Sequence, residues 1–185
     1  MKACRWICLI LCAATFLMGC THGDTSSRAG TGMLQVMLTD APIDLSTVQS
    51  VNVTLTGVIV FPNESTDPMG TILEGSPVSL LTFPATFDLL TLTGGATALL
   101  ASGEVPAGSY SRIRLEISEA TMINTDGTTT PLKVESNKVD VPIRFEVGVD
   151  ATSFVTLDFD AAASVQVNST GSGTFILRPV VTPVP

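Results

Sequence analysis

From residue 33 onward, apolar and polar side chains alternate with a period of two, in short runs closed by Gly, Pro, Asn or Asp. That period is the signature of strands with one packed and one wetted face, not of helices. It predicts strands over residues 33–39, 48–61, 78–81, 87–92, 109–124, 130–135, 139–147, 152–159, 164–168 and 174–181. In the longest, Ile113, Leu115 and Ile117 share one face and Arg112, Arg114 and Glu116 the other. Val141, Ile143, Phe145 and Val147 repeat the pattern opposite Asp140, Arg144 and Glu146. Asn124-Thr125-Asp126-Gly127 reads as the turn joining 109–124 and 130–135 into a hairpin. Residues 97–102 read as one helical turn. The expected fold is all-β, an antiparallel two-sheet β-sandwich over residues 33–183, since turns recur every eight to twelve residues.

The first residues follow a different rule. A basic start (Lys2, Arg5) precedes an apolar run from Trp6 to Leu17, the length of a secretory core and shorter than the roughly 20 residues of a membrane span. Leu17-Met18-Gly19-Cys20 closes it. This pattern resembles the lipobox of bacterial lipoproteins, which implies cleavage after Gly19 and a diacylglycerol and further acyl group on Cys20. The expected organisation is a signal peptide over 1–19, a lipidated cysteine and flexible Gly/Ser/Thr tether over 20–32, and the sandwich beyond. Thr21, being other than Asp, points to the outer membrane of a Gram-negative envelope by the same resemblance.

Processing also changes what composition means. The chain has four cysteines, and Cys4, Cys8 and Cys12 leave with the signal while Cys20 takes lipid, so no disulfide or thiolate ligand is expected in the domain. The single histidine, His22, falls in the tether. Without Lys2 and Arg5, seven basic side chains face 17 acidic ones, near −10. That charge excludes nucleic acid as a partner and disfavours anionic lipid surfaces. No Gly-x-Ser-x-Gly elbow, phosphate loop, histidine pair or cysteine nucleophile occurs.

The remaining chemistry is acidic. Asp158 and Asp160 alternate with Leu157 and Phe159, which puts both carboxylates on one sheet face about 7 Å apart. They suit pairing with Arg112, Arg114 or Arg178 or a capping role, a cation such as calcium shared with Asp40 or Asp44, or acid–base chemistry on a polysaccharide. Asp40 before Pro42 also suits an Asx turn. Pairing or capping is the leading expectation, so no cofactor is expected, with calcium as the alternative.

Leu38-Thr39-Asp40-Ala41-Pro42, Phe87-Asp88-Leu89-Leu90-Thr91-Leu92, Val105-Pro106-Ala107-Gly108-Ser109-Tyr110, Leu157-Asp158-Phe159-Asp160-Ala161 and Leu177-Arg178-Pro179-Val180, in this order, resemble the DUF4382 domain family. The resemblance implies an exported bacterial protein, often a lipoprotein, with no established activity. Ala107-Gly108-Ser109-Tyr110 also resembles the Gly-x-Tyr strand opening of transthyretin-like and collagen-adhesin B-type domains, a transthyretin-like or Ig-like sandwich. There Gly108 would allow a tight turn into the strand, and Tyr110 would fill a corner with its hydroxyl on backbone. The expected function is a non-enzymatic, lipid-anchored binding or scaffolding module of the bacterial cell envelope, held to the membrane by its anchor and meeting an envelope protein or polysaccharide. The alternative is a carboxylate-dependent polysaccharide hydrolase.

Overall fold

A computed structural model describes residues 30–40, 47–66, 72–73, 75–167 and 175–185. The expected signal peptide, Cys20, His22, Asp44 and most of the expected tether lie outside the described residues. The strands are β1 (Thr31–Thr39), β2 (Val48–Pro62), β3 (Ser65–Thr66), β4 (Ile72–Leu73), β5 (Val78–Ser79), β6 (Ala85–Asp88), β7 (Ala98–Pro106), β8 (Gly108–Asn124), β9 (Thr129–Val134), β10 (Lys138–Val147), β11 (Thr152–Phe159), β12 (Val165–Val167), β13 (Phe175–Leu177) and β14 (Val181–Val184). One 3-10 turn (Leu89–Leu92) and one helical turn, α1 (Ala161–Ser164), complete the described elements.

The fold is the expected all-β sandwich. One sheet runs β14-β11-β1-β7. The other runs β12-β13-β9-β8-β2-β5, with β10 also paired to β8 and β6 to β2. β3 and β4 form a small separate pair. Alternation builds one core between the sheets: Leu34, Val36, Leu38, Val155, Leu157 and Phe159 face Val51, Val53, Leu55, Ile113, Leu115 and Ile117, every one 5 % exposed or less. Burying each such side chain is worth roughly 1.5–3 kcal/mol.

Four details differ from the alternation alone. Both sheets are mixed, because β1 pairs β11 in parallel, from Met33 opposite Thr152 to Thr39 opposite Asp158, and β13 pairs β9 in parallel. Residues 97–102 are not a helical turn; β7 takes all of them but Thr97, and a register shift against β1 turns both Leu100 and Ala101 inward, breaking the period. The predicted strand 87–92 ends at Asp88, whose carboxylate accepts from Leu90 N (3.2 Å) and starts the 3-10 turn. The two closing strands are interrupted: α1 occupies residues 161–164, and Arg178-Pro179-Val180 separates β13 from β14.

β2 and β8 form the longest pairing, and both change face partway. β2 buries Val51, Val53 and Leu55, then Val58 and Val60, because the ladder shifts register between Leu55 and Gly57. One inserted residue reverses the side-chain faces, so the bulge lets a long strand keep contact with a twisted core. The predicted hairpin closes through Asn124 to Thr128, with Gly127 at φ 82° and Asp126 Oδ1 accepting from Thr128 N at 2.8 Å.

Candidate functional site

The parallel register brings the three candidate aspartates to one place. β1 and β11 end side by side, so Asp40, Asp158 and Asp160 gather where both strands leave the sheet. Their tasks then diverge. Asp40 is 3 % exposed and its Oδ1 accepts from the amide of Ala161 at 2.9 Å, while its own amide donates to Leu92 O at 3.2 Å. Asp160 stands at the N-cap of α1: its Oδ1 accepts from Ala163 N at 2.8 Å. Its carbonyl accepts from Ser164 N at 3.0 Å, and its amide donates to Val180 O at 3.0 Å. Ser164, fully buried, holds the other side of the corner, with Oγ accepting from Val180 N at 2.8 Å and its carbonyl from Arg178 N at 2.8 Å.

Asp158 remains in the strand, half-buried, across from Thr39 on β1 and Thr182 on β14. β11 ends at Phe159, so Asp160 leaves the sheet before the strand geometry that would align it with Asp158. The expected same-face carboxylate pair is therefore replaced by one strand residue and one cap. The arginines expected as partners bind other carboxylates: Arg114 Nε and Nη2 donate to the two oxygens of Asp140 at 2.7 and 2.8 Å, Arg112 approaches Asp140 at 3.8 Å, and Arg178 Nε meets Glu135 at 2.9 Å. The Arg114 fork holds the Asp140 carboxyl below its ordinary range, first by hydrogen bonding and then by charge. Among the described residues no group of three or more His, Cys, Asp or Glu side chains is placed to hold a metal ion.

Asp88 and Asp126 act as Asp160 does. Asp88 Oδ1 accepts from Leu90 N and also from Val51 N, both at 3.2 Å. Asp126 binds Thr128 through both its amide and its hydroxyl, which lowers the Asp126 pKa. Four carboxylates are thus used to satisfy backbone donors where the chain turns.

Gly108 and Tyr110 form the corner between β7 and β8. Gly108 has φ 149°, which a side-chain-bearing residue rarely adopts. Tyr110 is 1 % exposed, donates its hydroxyl to Pro106 O at 2.7 Å and stacks on Phe145 with centroids 5.1 Å apart and planes within 9°. Burial raises its pKa.

Two shallow cavities flank this corner. One of about 330 Å³ is lined by Phe61, Pro62, Glu64, Ser111 and Arg112 among others, with the Arg112 guanidinium 3.9 Å from the Phe61 ring centre. The other, about 260 Å³, is lined by Asn63, Ser109, Tyr110, Arg144, Phe145 and Glu146. Neither is lined by Asp40, Asp158 or Asp160. Sequence reasoning placed Phe61 and Arg144 in strands and gave them no site role, because outward positions of a strand look alike until their neighbours are known.

A third surface is apolar. The outer face of β14-β11-β1-β7 carries Met33 (39 % exposed), Leu99 (51 %), Phe154 (65 %) and Val184 (41 %) amid Gln35, Ser102, Thr152 and Thr156. Among the described residues no helix is long and apolar enough to cross a membrane.

A family model described as "Domain of unknown function (DUF4382)" matches residues 31–179. The curated proteins and the solved structures yielded no match.

Proposed function

The chain belongs to the DUF4382 family, and from that premise we propose that it is a lipid-anchored, extracytoplasmic binding or scaffolding module of the bacterial cell envelope without catalytic chemistry of its own. The observation that carries this reading is the use made of the candidate carboxylates. Asp40 and Asp160, the residues best suited to join Asp158 in acid–base or cation chemistry, accept backbone amides of α1 instead. A carboxylate oxygen that accepts a backbone amide is already engaged in holding the chain, which leaves it poorly placed to exchange a proton with a substrate. A hydrolase also requires a concave site around its carboxylates, and the two cavities beside the β7–β8 corner are lined by other residues.

The exposed apolar side chains on the outer face of the four-stranded sheet, Met33, Leu99, Phe154 and Val184, support the binding half of the proposal. The Leu17-Met18-Gly19-Cys20 motif supports the anchor, and Thr21 supports the outer membrane. Fractionation of cells expressing Cys20→Ser tests the anchor. The variant is expected as uncleaved precursor or soluble protein, whereas the parent sediments with membranes and carries acyl groups on Cys20 by mass spectrometry. A cleaved, unacylated Cys20→Ser chain that still sediments with membranes would overturn it.

A further inference from the structure

The exposed apolar side chains are not spread evenly about the molecule: three sit where the chain enters the domain. Gly30 lies against Val149, so closely that a Cβ added there would fall 2.5 Å from Val149 Cγ1. Asp150 N donates to Thr31 O and Met33 N to Ala151 O, both at 2.8 Å, which fixes the β10–β11 turn beside the start of β1. Met33 then faces outward opposite Thr152, and Phe154 faces outward opposite Gln35. Val149 is 60 % exposed, Phe154 65 % and Met33 39 %. Met33 and Phe154 thus share the outer face near the start of β1, and Val149 packs against Gly30, where the segment that leads back to Cys20 joins the domain.

We propose that this end of the four-stranded sheet, bearing Met33, Val149 and Phe154, rests on a neutral lipid surface, the bilayer in which the anchor sits. The inference depends on the anchored reading above. A chain from Cys20 to Gly30 reaches at most about 35 Å even when fully extended, so the acyl chains draw this end of the domain toward the bilayer before any other. Anchored side chains meet the headgroup layer at high effective concentration, where a contact too weak to recruit a free protein still orients a tethered one. Charge selects the lipid. β1, β7 and β11 contain no Lys or Arg, and Glu104, Glu146 and Asp150 lie at the same end. Anionic headgroups, which attract basic patches, would repel this surface.

The processed lipoprotein contains no tryptophan, because the only one, Trp6, precedes Cys20. The full-length gene carrying Phe154→Trp therefore yields a lipoprotein with a single reporter on the proposed surface, and Met33→Trp provides a second. Lys133→Trp, on the exposed side of β9 in the other sheet, is the control. Each processed lipoprotein is reconstituted in phosphatidylcholine vesicles with or without bromine on the acyl chains. Quenching of at least about two-fold at positions 154 and 33, with none at 133, is expected, falling when phosphatidylglycerol replaces half the lipid. Vesicle-bound protein whose reporters at 154 and 33 are unquenched would overturn the docking while leaving the anchor intact. Emission changes that ignore bromine but grow with protein density would assign the face to a second copy and overturn it too. A chain that neither floats with vesicles nor carries acyl groups would overturn the anchor, and the docking with it.

Discussion

Asp160 and Tyr110 each satisfy a backbone group left over where a strand turns, one by accepting from an amide and the other by donating to a carbonyl. Asp160→Ala is expected to lower unfolding free energy by about 0.5–2 kcal/mol, as for the loss of other N-caps, read from urea denaturation with and without calcium, the loss being the same in both. Tyr110→Phe keeps the stack on Phe145 but orphans Pro106 O, at about 0.5–1.5 kcal/mol. Asp140 gives the pH signature. Its folded pKa lies below the ordinary carboxylate value, so its contribution is present above that value and lost as pH falls through the depressed one. Asp140→Asn should therefore narrow the gap in melting temperature from the parent on acidification below about pH 4, modestly, because the carboxylate is 41 % exposed. At this scale the sequence was legible where one residue type has one local use: Gly-x-Tyr marks a corner. Capping was one of the roles expected of the aspartates, but which of them would cap was not legible, because whether a carboxylate after a strand continues the alternation or caps a turn depends on where the strand stops, and Phe159 is apolar in either case.

β8 is the spine of the larger sheet, with β2 along one side and β10 and β9 in succession along the other. Leu115 is fully buried at its centre, so Leu115→Asp should abolish soluble folding, because an unpaired charge in the core exceeds the margin of a domain this size. Glu119→Lys on the exposed side should change stability by less than about 0.5 kcal/mol in the same denaturation assay. Glu116→Lys is not an equivalent control, since Glu116 pairs Lys138 at 3.4 Å and the replacement would set two ammonium groups face to face. Strands with clean alternation, such as β1 and β11, could be read from sequence almost to their ends. β7 could not: its bulge turns Leu100 and Ala101 inward together, and Ala98-Leu99-Leu100-Ala101 loses the period that announces a strand. Short segments such as the residues around α1 owe their shape to Asp40 and Val180, partners far off in sequence.

For the whole molecule, cohesion is expected from the core without covalent staples. The sequence has no cysteine after Cys20, so the chain from Cys20 onward should melt at the same temperature with and without reductant in differential scanning calorimetry. The two-layer class was legible because it follows from alternation summed over the chain. Sheet order was not, because pairing of β1 with β11 joins the first and one of the last strands, and no local pattern encodes a partner so distant. That pairing has a consequence for how the protein is made. β1 is an interior strand, flanked by β7 and β11, yet it emerges first during synthesis. Its second edge stays open until residue 159 has followed, and the face carrying Leu34, Val36 and Leu38 has no complete cover until then. Until then the nascent chain cannot close this sheet, and the open edge and uncovered apolar face of β1 leave it prone to aggregation and dependent on chaperones. A chain halted after Asp150 should be cut rapidly by protease, while the finished one resists.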